Sequence, residues 1–310
     1  MKSVNDEILD FFVEEEDKGM RIDRYLADSQ EDLTRSYLQK LIGEERVLVN
    51  EKSVKANYKV NSGDTIKLML PPPVDLELKP EDIPLDIIYE DKDIIVVNKG
   101  KGMVVHPAAG HYTNTLVNAL LFHCKEELSG INGVMRPGIV HRIDMNTTGV
   151  LVVCKNDKAH QAIAEQLKVH SITRKYNAIV YQTFKESQGT VEGPIGRHPV
   201  DRKKMAISHK NGKHAVTHYQ LLENLSNRYA HIECTLETGR THQIRVHMAS
   251  IGHPLLGDEL YSNNKSNFGL EGQALHARVL GFIHPSTGEY VEFEAPLPAY
   301  YEELLKKLRR

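Results

Sequence analysis

Residues 136–149 read Arg136-Pro-Gly-Ile-Val-His141-Arg142-Ile143-Asp144-Met-Asn-Thr147-Thr148-Gly149, and Val-Leu-Val-Val-Cys follows at once. A polar loop with one acid and two arginines thus runs straight into a strand apolar on both faces. Taken alone, the loop also fits a plain turn in which Asp144 binds nearby amides or the Thr147 and Thr148 hydroxyls. Outward from it, Asp86–Asn98 reads as two strands around an Asp91-Lys92-Asp93 turn. Further strands are expected at Thr173–Phe184, Ala215–Leu222, Tyr229–Leu236, Ala274–Ile283 and Tyr290–Phe293, with helices near 113–124, 157–169, 241–251 and 299–309. Hairpin-like strands without βαβ alternation predict an α+β domain on a mainly antiparallel mixed sheet.

The chain has 310 residues, and at roughly 150 residues per domain that predicts about two domains. Pro71-Pro72-Pro73, followed by Pro80 and Pro84, marks the boundary, since successive prolines donate no backbone hydrogen bonds and hold the chain extended. The division is an acidic segment over 1–19, a small unit over 20–70, a proline-rich linker over 71–82 and a larger domain over 83–310. In the small unit Ile22, Tyr25 and Leu26 fall at helical spacing, and Thr34 can cap a second helix whose inner face is Tyr37, Leu38, Leu41 and Ile42. Val47–Asn50, Tyr58–Val60 and Thr65–Leu70 read as strands.

Hydrophobic residues at 40% and charged residues at 26% describe an ordinary soluble, folded protein and exclude collagen-like or disordered classes. No apolar run approaches the roughly 20 residues that span a bilayer, and the start is acidic, so no membrane partner and a cytoplasmic address are expected. Cys124, Cys154 and Cys234 offer neither a zinc spacing nor a disulfide framework. The net charge of −3 conceals a reversal along the chain. Residues 1–20 hold seven acids, whereas 196–215 carry Arg197, Arg202, Lys203, Lys204, Lys210 and Lys213 against Asp201 alone. Such a basic, loop-like segment is either a solvated turn or a polyanion contact.

Several constellations are absent: no G-x-x-x-x-G-K-[ST], no G-x-G-x-x-G after a strand, no G-x-S-x-G and no H-E-x-x-H. The 16 histidines do not assemble a ligand spacing; His242 and His247, five apart, are expected on different helix faces. No metal and no cofactor are therefore expected. A second polar run, Glu237-Thr-Gly-Arg240-Thr-His242-Gln243-Ile244-Arg245-Val-His247, crowds cations at a helix start, where the dipole favours anions. One acid and several cations in two irregular segments describe a carboxylate site beside a polyanion.

At these residues the larger domain resembles the RluA/RluD family of pseudouridine synthases, whose H-R-L-D-x-x-T-S-G-L motif appears as His141-Arg-Ile-Asp-Met-Asn-Thr-Thr-Gly-Val. The flanking N-K-P-x-G-[LM]-x-V-H-P motif is Asn98-Lys-Gly-Lys-Gly-Met-Val-Val-His-Pro, with Gly100 where proline is usual. Arg174-Lys-Tyr176, L-x-T-G-R-T-H-Q-I-R-V-H from Leu236, Gly257-Asp258 with Tyr261, and Leu275-His-Ala follow in order, so the resemblance spans 83–298. Residues 20–70 resemble the S4 RNA-binding domain through Arg21-Ile-Asp-Arg-Tyr-Leu, Thr34-Arg-Ser, Val47-Leu-Val-Asn and Gly63-Asp64. Glu44-Glu45-Arg46 stands where that family usually turns on glycine.

The resemblance implies a pseudouridine synthase catalytic domain behind a small N-terminal α/β S4 domain. The implied reaction breaks the uridine N1–C1′ bond, turns the freed uracil and rejoins it through C5 to the same ribose. Asp144 would be the catalytic residue: a carboxylate can stabilise positive charge at C1′, attack there or remove a proton. Arg245 would pair with it and keep it ionised, Tyr176 would stack on the target base, and Ile244 would pack behind Arg245. Arg142, whose family counterpart enters the vacated base stack, joins His141, Arg240, His242 and Ile244 as substrate-binding candidates. Arg21, Arg35, Ser36 and Lys40 would meet RNA phosphates, as would Arg202, Lys203 and Lys204 in the basic segment. The implied substrate is ribosomal RNA of the large subunit, free or in a pre-ribosomal particle, bound by a monomer. Transfer RNA is the alternative substrate, and the readings from other classes are a silent RNA-binding or ribosome-assembly factor and a metal-dependent nuclease.

Overall fold

The computed structural model describes residues 7–29, 35–70, 78–107, 112–125, 127–131, 137–201, 203–263 and 268–310. The chain divides into two compact units, residues 1–76 and 77–310. In the first, β1 (Glu7–Phe12), α1 (Ile22–Ser29), α2 (Arg35–Gly43), β2 (Val47–Val49), β3 (Lys52–Ser53) and β4 (Thr65–Leu70) build a four-stranded sheet of order β1-β4-β2-β3 under two helices. Ile22, Tyr25 and Leu26 of α1 and Leu38, Leu41 and Ile42 of α2 bury one helical stripe each against Val47, Ile66 and Leu68.

Two expectations change here. The acidic stretch over 1–19 is not set apart, because Glu7–Phe12 pairs antiparallel with Thr65–Leu70 and turns Leu9 and Phe11 to the core. Tyr58–Val60 forms no strand and contributes a single bridge, Arg21 to Lys59. Thr34, the linker residues 71–77 and the side chains of Ser36 and Tyr37 lie outside the described residues.

The second unit runs β5 (Ile87–Glu90), β6 (Ile94–Lys99), α3 (Leu116–Cys124), β7 (Thr148–Cys154), α4 (Asp157–Lys168), β8 (Thr173–Tyr181), β9 (Gln188–Glu192), β10 (Ile195–Arg197), β11 (Met205–Ile207), β12 (Val216–Leu225), β13 (Tyr229–Leu236), α5 (Gln243–Ser250), β14 (Leu275–Ile283), β15 (Tyr290–Glu294) and α6 (Ala299–Leu308). Its main sheet has the order β5-β6-β7-β14-β8-β13-β12-β9, with β15 also on β14; β7–β14 is its parallel pair. It is an α+β fold on a mainly antiparallel sheet, as the pattern predicts. β7 is buried along its whole length, which is why its sequence does not alternate. The basic segment departs from expectation: β10 and β11 pair antiparallel into a two-stranded ribbon. Helix α3 starts at Leu116 because Thr115 and Asn118 form a reciprocal capping box.

Candidate active site

Sheet register sets the site. Gly149 pairs with Ala277, and Ala277 with Tyr176, so the mouth of β7 and Tyr176 share one cross-strand row. At Gly149 φ is +112°, and a Cβ there would lie 2.1 Å from the Ala277 carbonyl oxygen. Only glycine lets the 141–148 loop enter the sheet this closely. The turn closes through the Thr147 N–H donating to the Asp144 carbonyl at 3.0 Å. Arg245 Nη1 donates to Asp144 Oδ2 at 2.8 Å across 101 positions of sequence. The Asp144 side chain is 27% exposed and that of Arg245 7%, so the carboxylate faces open space while the guanidinium is enclosed.

Helix α5 supplies Arg245. Gln243 fixes its start by donating to the Val216 carbonyl and accepting from the Arg240 amide. His242 precedes the helix in the left-handed region, φ 56°, and His247 is buried between Thr217 and the Gly193 carbonyl. The two histidines are separated by this break in the backbone rather than placed on two faces of one helix. Asp258 accepts Arg245 Nε and Nη2 and carries no exposed surface to speak of. Arg245 therefore serves two carboxylates, and they hold its pKa above the ordinary guanidinium range against the pull of burial.

Asp144, Tyr176, Arg142, His141, Arg240 and His242 line one cavity of about 530 Å³. Ile244 and Arg245 line an adjoining recess with Asp144 and Tyr176. Burial raises the Tyr176 pKa, keeping the phenol neutral. Arg142 is exposed and its Nη1 lies 3.3 Å from His106 Nε2. His141 accepts the Val152 N–H on Nε2, so this ring also braces the loop; burial and then Arg174 pull its pKa down to about 3. Arg240 donates from Nε to the His214 carbonyl.

Lys99, Asp258, Tyr261 and Arg174 also build the site, although the sequence gives them no role beyond their motifs. Lys99 Nζ donates to the carbonyls of Gly100, Met103 and Met145 at 2.8, 2.8 and 2.9 Å, tying the 99–103 turn to the residue after Asp144. Burial pulls its pKa down to about 7. Arg174 lines the cavity and donates to the Glu237 carbonyl beside Gly239, where a Cβ would lie 2.4 Å from Nη1.

The other candidates lie elsewhere. Lys203 is exposed on the ribbon turn, while Arg202 is outside the described residues. In the first unit Arg21 and Arg35 both donate to the buried Asp23 yet remain about half exposed; Lys40 pairs with Glu44. Among the described residues two clusters could each offer three metal-ligand atoms, Glu90-His123-Cys124 and Asp91-Asp93-His284, and neither lines the cavity.

The sequence profile of the RNA pseudouridylate synthase family matches residues 93–250, and that of the S4 domain residues 20–66. The chain belongs to the RNA pseudouridylate synthase family. An uncharacterized RNA pseudouridine synthase of Bacillus subtilis, YlyB, is 52% identical over 97% of this chain and 98% of its own. Ribosomal large subunit pseudouridine synthase D of Zymomonas mobilis is 49% identical over 95% of each. Among solved structures, human RNA pseudouridylate synthase domain containing 4 has 28% identity and a TM-score of 0.57, covering 72% of this chain and 92% of its own. This synthase is thus an isomerase that converts uridine in RNA to pseudouridine. No helix among the described residues is long and apolar enough to cross a membrane.

Proposed function

We propose that this synthase modifies uridines of large-subunit ribosomal RNA, in the cytoplasm, as a monomer without cofactor, and that Asp144 performs the chemistry. The observation that carries the site assignment is a carboxylate held at 2.8 Å by an enclosed arginine while facing a 530 Å³ cavity walled by Tyr176 and cations. Tyr176 stacks on the target base, Arg245 orients Asp144, and Arg142, His141, Arg240, His242 and Ile244 surround the nucleotide. Lys203 and Lys204, with Arg202, hold RNA backbone. Arg21, Arg35, Ser36 and Lys40 are the phosphate contacts of an S4 domain over 20–70 that adds affinity through effective concentration. The choice of large-subunit RNA is supported by the names of relatives such as that of Zymomonas mobilis.

RNA tritiated at uridine C5 tests both parts. Release of tritium without strand cleavage is expected from large-subunit transcripts and not from transfer RNA. Asp144→Asn, nearly isosteric but uncharged, is expected to abolish release while RNA affinity stays within a few-fold. Retained turnover would overturn the catalytic assignment.

A further inference from the structure

We propose that Tyr261 is a positioning residue that locks the His242 ring as its Nε2–H tautomer, so that a fixed N–H faces Asp144 and the cavity. This rests on the reading that the cavity receives the target uridine. Three distances carry it. The Met205 N–H donates to Tyr261 Oη at 2.8 Å, Tyr261 Oη lies 2.8 Å from His242 Nδ1, and His242 Nε2 lies 3.8 Å from Asp144 Oδ2.

The protons follow by elimination. A backbone amide can only donate, so Oη accepts from Met205. Oη could also accept from an Nδ1–H, but the hydroxyl proton would then have no acceptor among the described residues, so it is directed to His242 Nδ1. An Nδ1 that accepts is unprotonated, and a neutral imidazole then carries its proton on Nε2. The 3.8 Å gap is too long for a direct hydrogen bond to Asp144, which leaves this N–H to donate to an acceptor that enters the cavity beside Asp144, such as a uracil carbonyl or a ribose oxygen.

Both rings are held in place. The Tyr261 amide donates to Asp258 Oδ1 at 3.2 Å, and the Arg245 guanidinium carbon sits 5.0 Å from the centre of the phenol ring. The His242 ring meets that of Tyr261 edge-on at 82°. His242 also holds a left-handed backbone, φ 56°.

The test uses full-length protein labelled with ¹⁵N-histidine and free of RNA, the His242 signal being the one lost in His242→Gln. Expected in the unaltered protein is an unprotonated Nδ1 with a protonated Nε2. Tyr261→Phe should shift that signal toward a mixture of tautomers while the other histidine signals hold, since phenylalanine keeps the ring over Arg245. On RNA, Tyr261→Phe should lower kcat about tenfold, as expected for one lost hydrogen bond in the reacting state, with KM within about twofold. The double variant Tyr261→Phe, His242→Gln should be no slower than His242→Gln alone. A protonated Nδ1 in the unaltered protein, an unmoved signal in Tyr261→Phe, or additive losses would overturn the proposal. Normal turnover by Asp144→Asn would instead remove the cavity reading, and the tautomer signal separates the two failures.

Discussion

Asp258 takes two of the three nitrogens of the Arg245 guanidinium, Nε at 2.7 Å and Nη2 at 2.9 Å, and leaves Nη1 for Asp144. The fork fixes the plane of the guanidinium, so Asp144 meets a donor already oriented before RNA arrives. Asp258 also accepts the amides of Leu260 and Tyr261, which pins the carboxylate itself. Asp258→Asn puts an amide against one of the two guanidinium donors and leaves a buried cation under-neutralised. A stability loss of about 3 kcal/mol is expected in urea unfolding. Because Arg245 can then swing, kcat should fall at least tenfold while RNA affinity changes by only a few-fold.

Lys99→Met keeps the apolar stem and withdraws the donor from three carbonyls, one of them on Met145 beside Asp144. Urea unfolding should register a loss of about 1–2 kcal/mol, because the three orphaned acceptors cost roughly one each and removing a buried ammonium returns part of that. In steady-state kinetics the loss should fall on kcat more than on KM.

Arg142 lies exposed at the cavity rim, its Nη1 3.3 Å from His106 Nε2, two positions before Asp144. A uridine in a folded stem must leave its stack to reach Asp144, at a cost of a few kcal/mol. If Arg142 fills the vacated space, Arg142→Ala should reduce kcat/KM far more on a structured stem-loop than on a flexible strand with the same uridine. Equal losses on both would assign Arg142 to bracing the loop through His106.

The sequence between β10 and β11 includes Arg202, Lys203 and Lys204. Replacing the three together with alanine should flatten the log–log salt dependence of RNA binding by up to about three units, since each phosphate contact contributes roughly 0.7–0.9. An unchanged slope would return the turn to solvent.

His141 gives a pH dependence whose direction follows from its environment. Its folded pKa of about 3 lies below the ordinary 6.5, so between these values the unfolded chain binds a proton that the folded chain does not. Stability therefore falls as pH drops through that window, by about 2 kcal/mol at pH 4 once partial exposure is allowed for. In His141→Gln, Oε1 can still accept the Val152 N–H but takes up no proton. The slope of unfolding free energy against pH should then be smaller by about one proton between pH 6 and 4.

The sequence by itself determined the α+β class, most strands of the main sheet and the acid at the centre of the site, because each is written in local pattern. The apolar run Val150–Cys154 needs burial on both faces wherever it lies, and a polar loop with one aspartate before it stands out in any fold. Local pattern failed where an element exists only through its partner. β1 has Ile8 and Phe12 exposed and an acidic setting, and it is a strand because β4 offers an edge. β10 and β11 are three residues each, too short to display a period, and pair because their turn brings them together. Tertiary structure alone decided that Arg245 also binds Asp258, and that Tyr261 joins Met205 to His242. Those contacts join residues 13 to 56 positions apart. Their geometry comes from the register of β7, β14 and β8 and from the rotation of α5, both set by packing of the whole domain and not by the residues at either end.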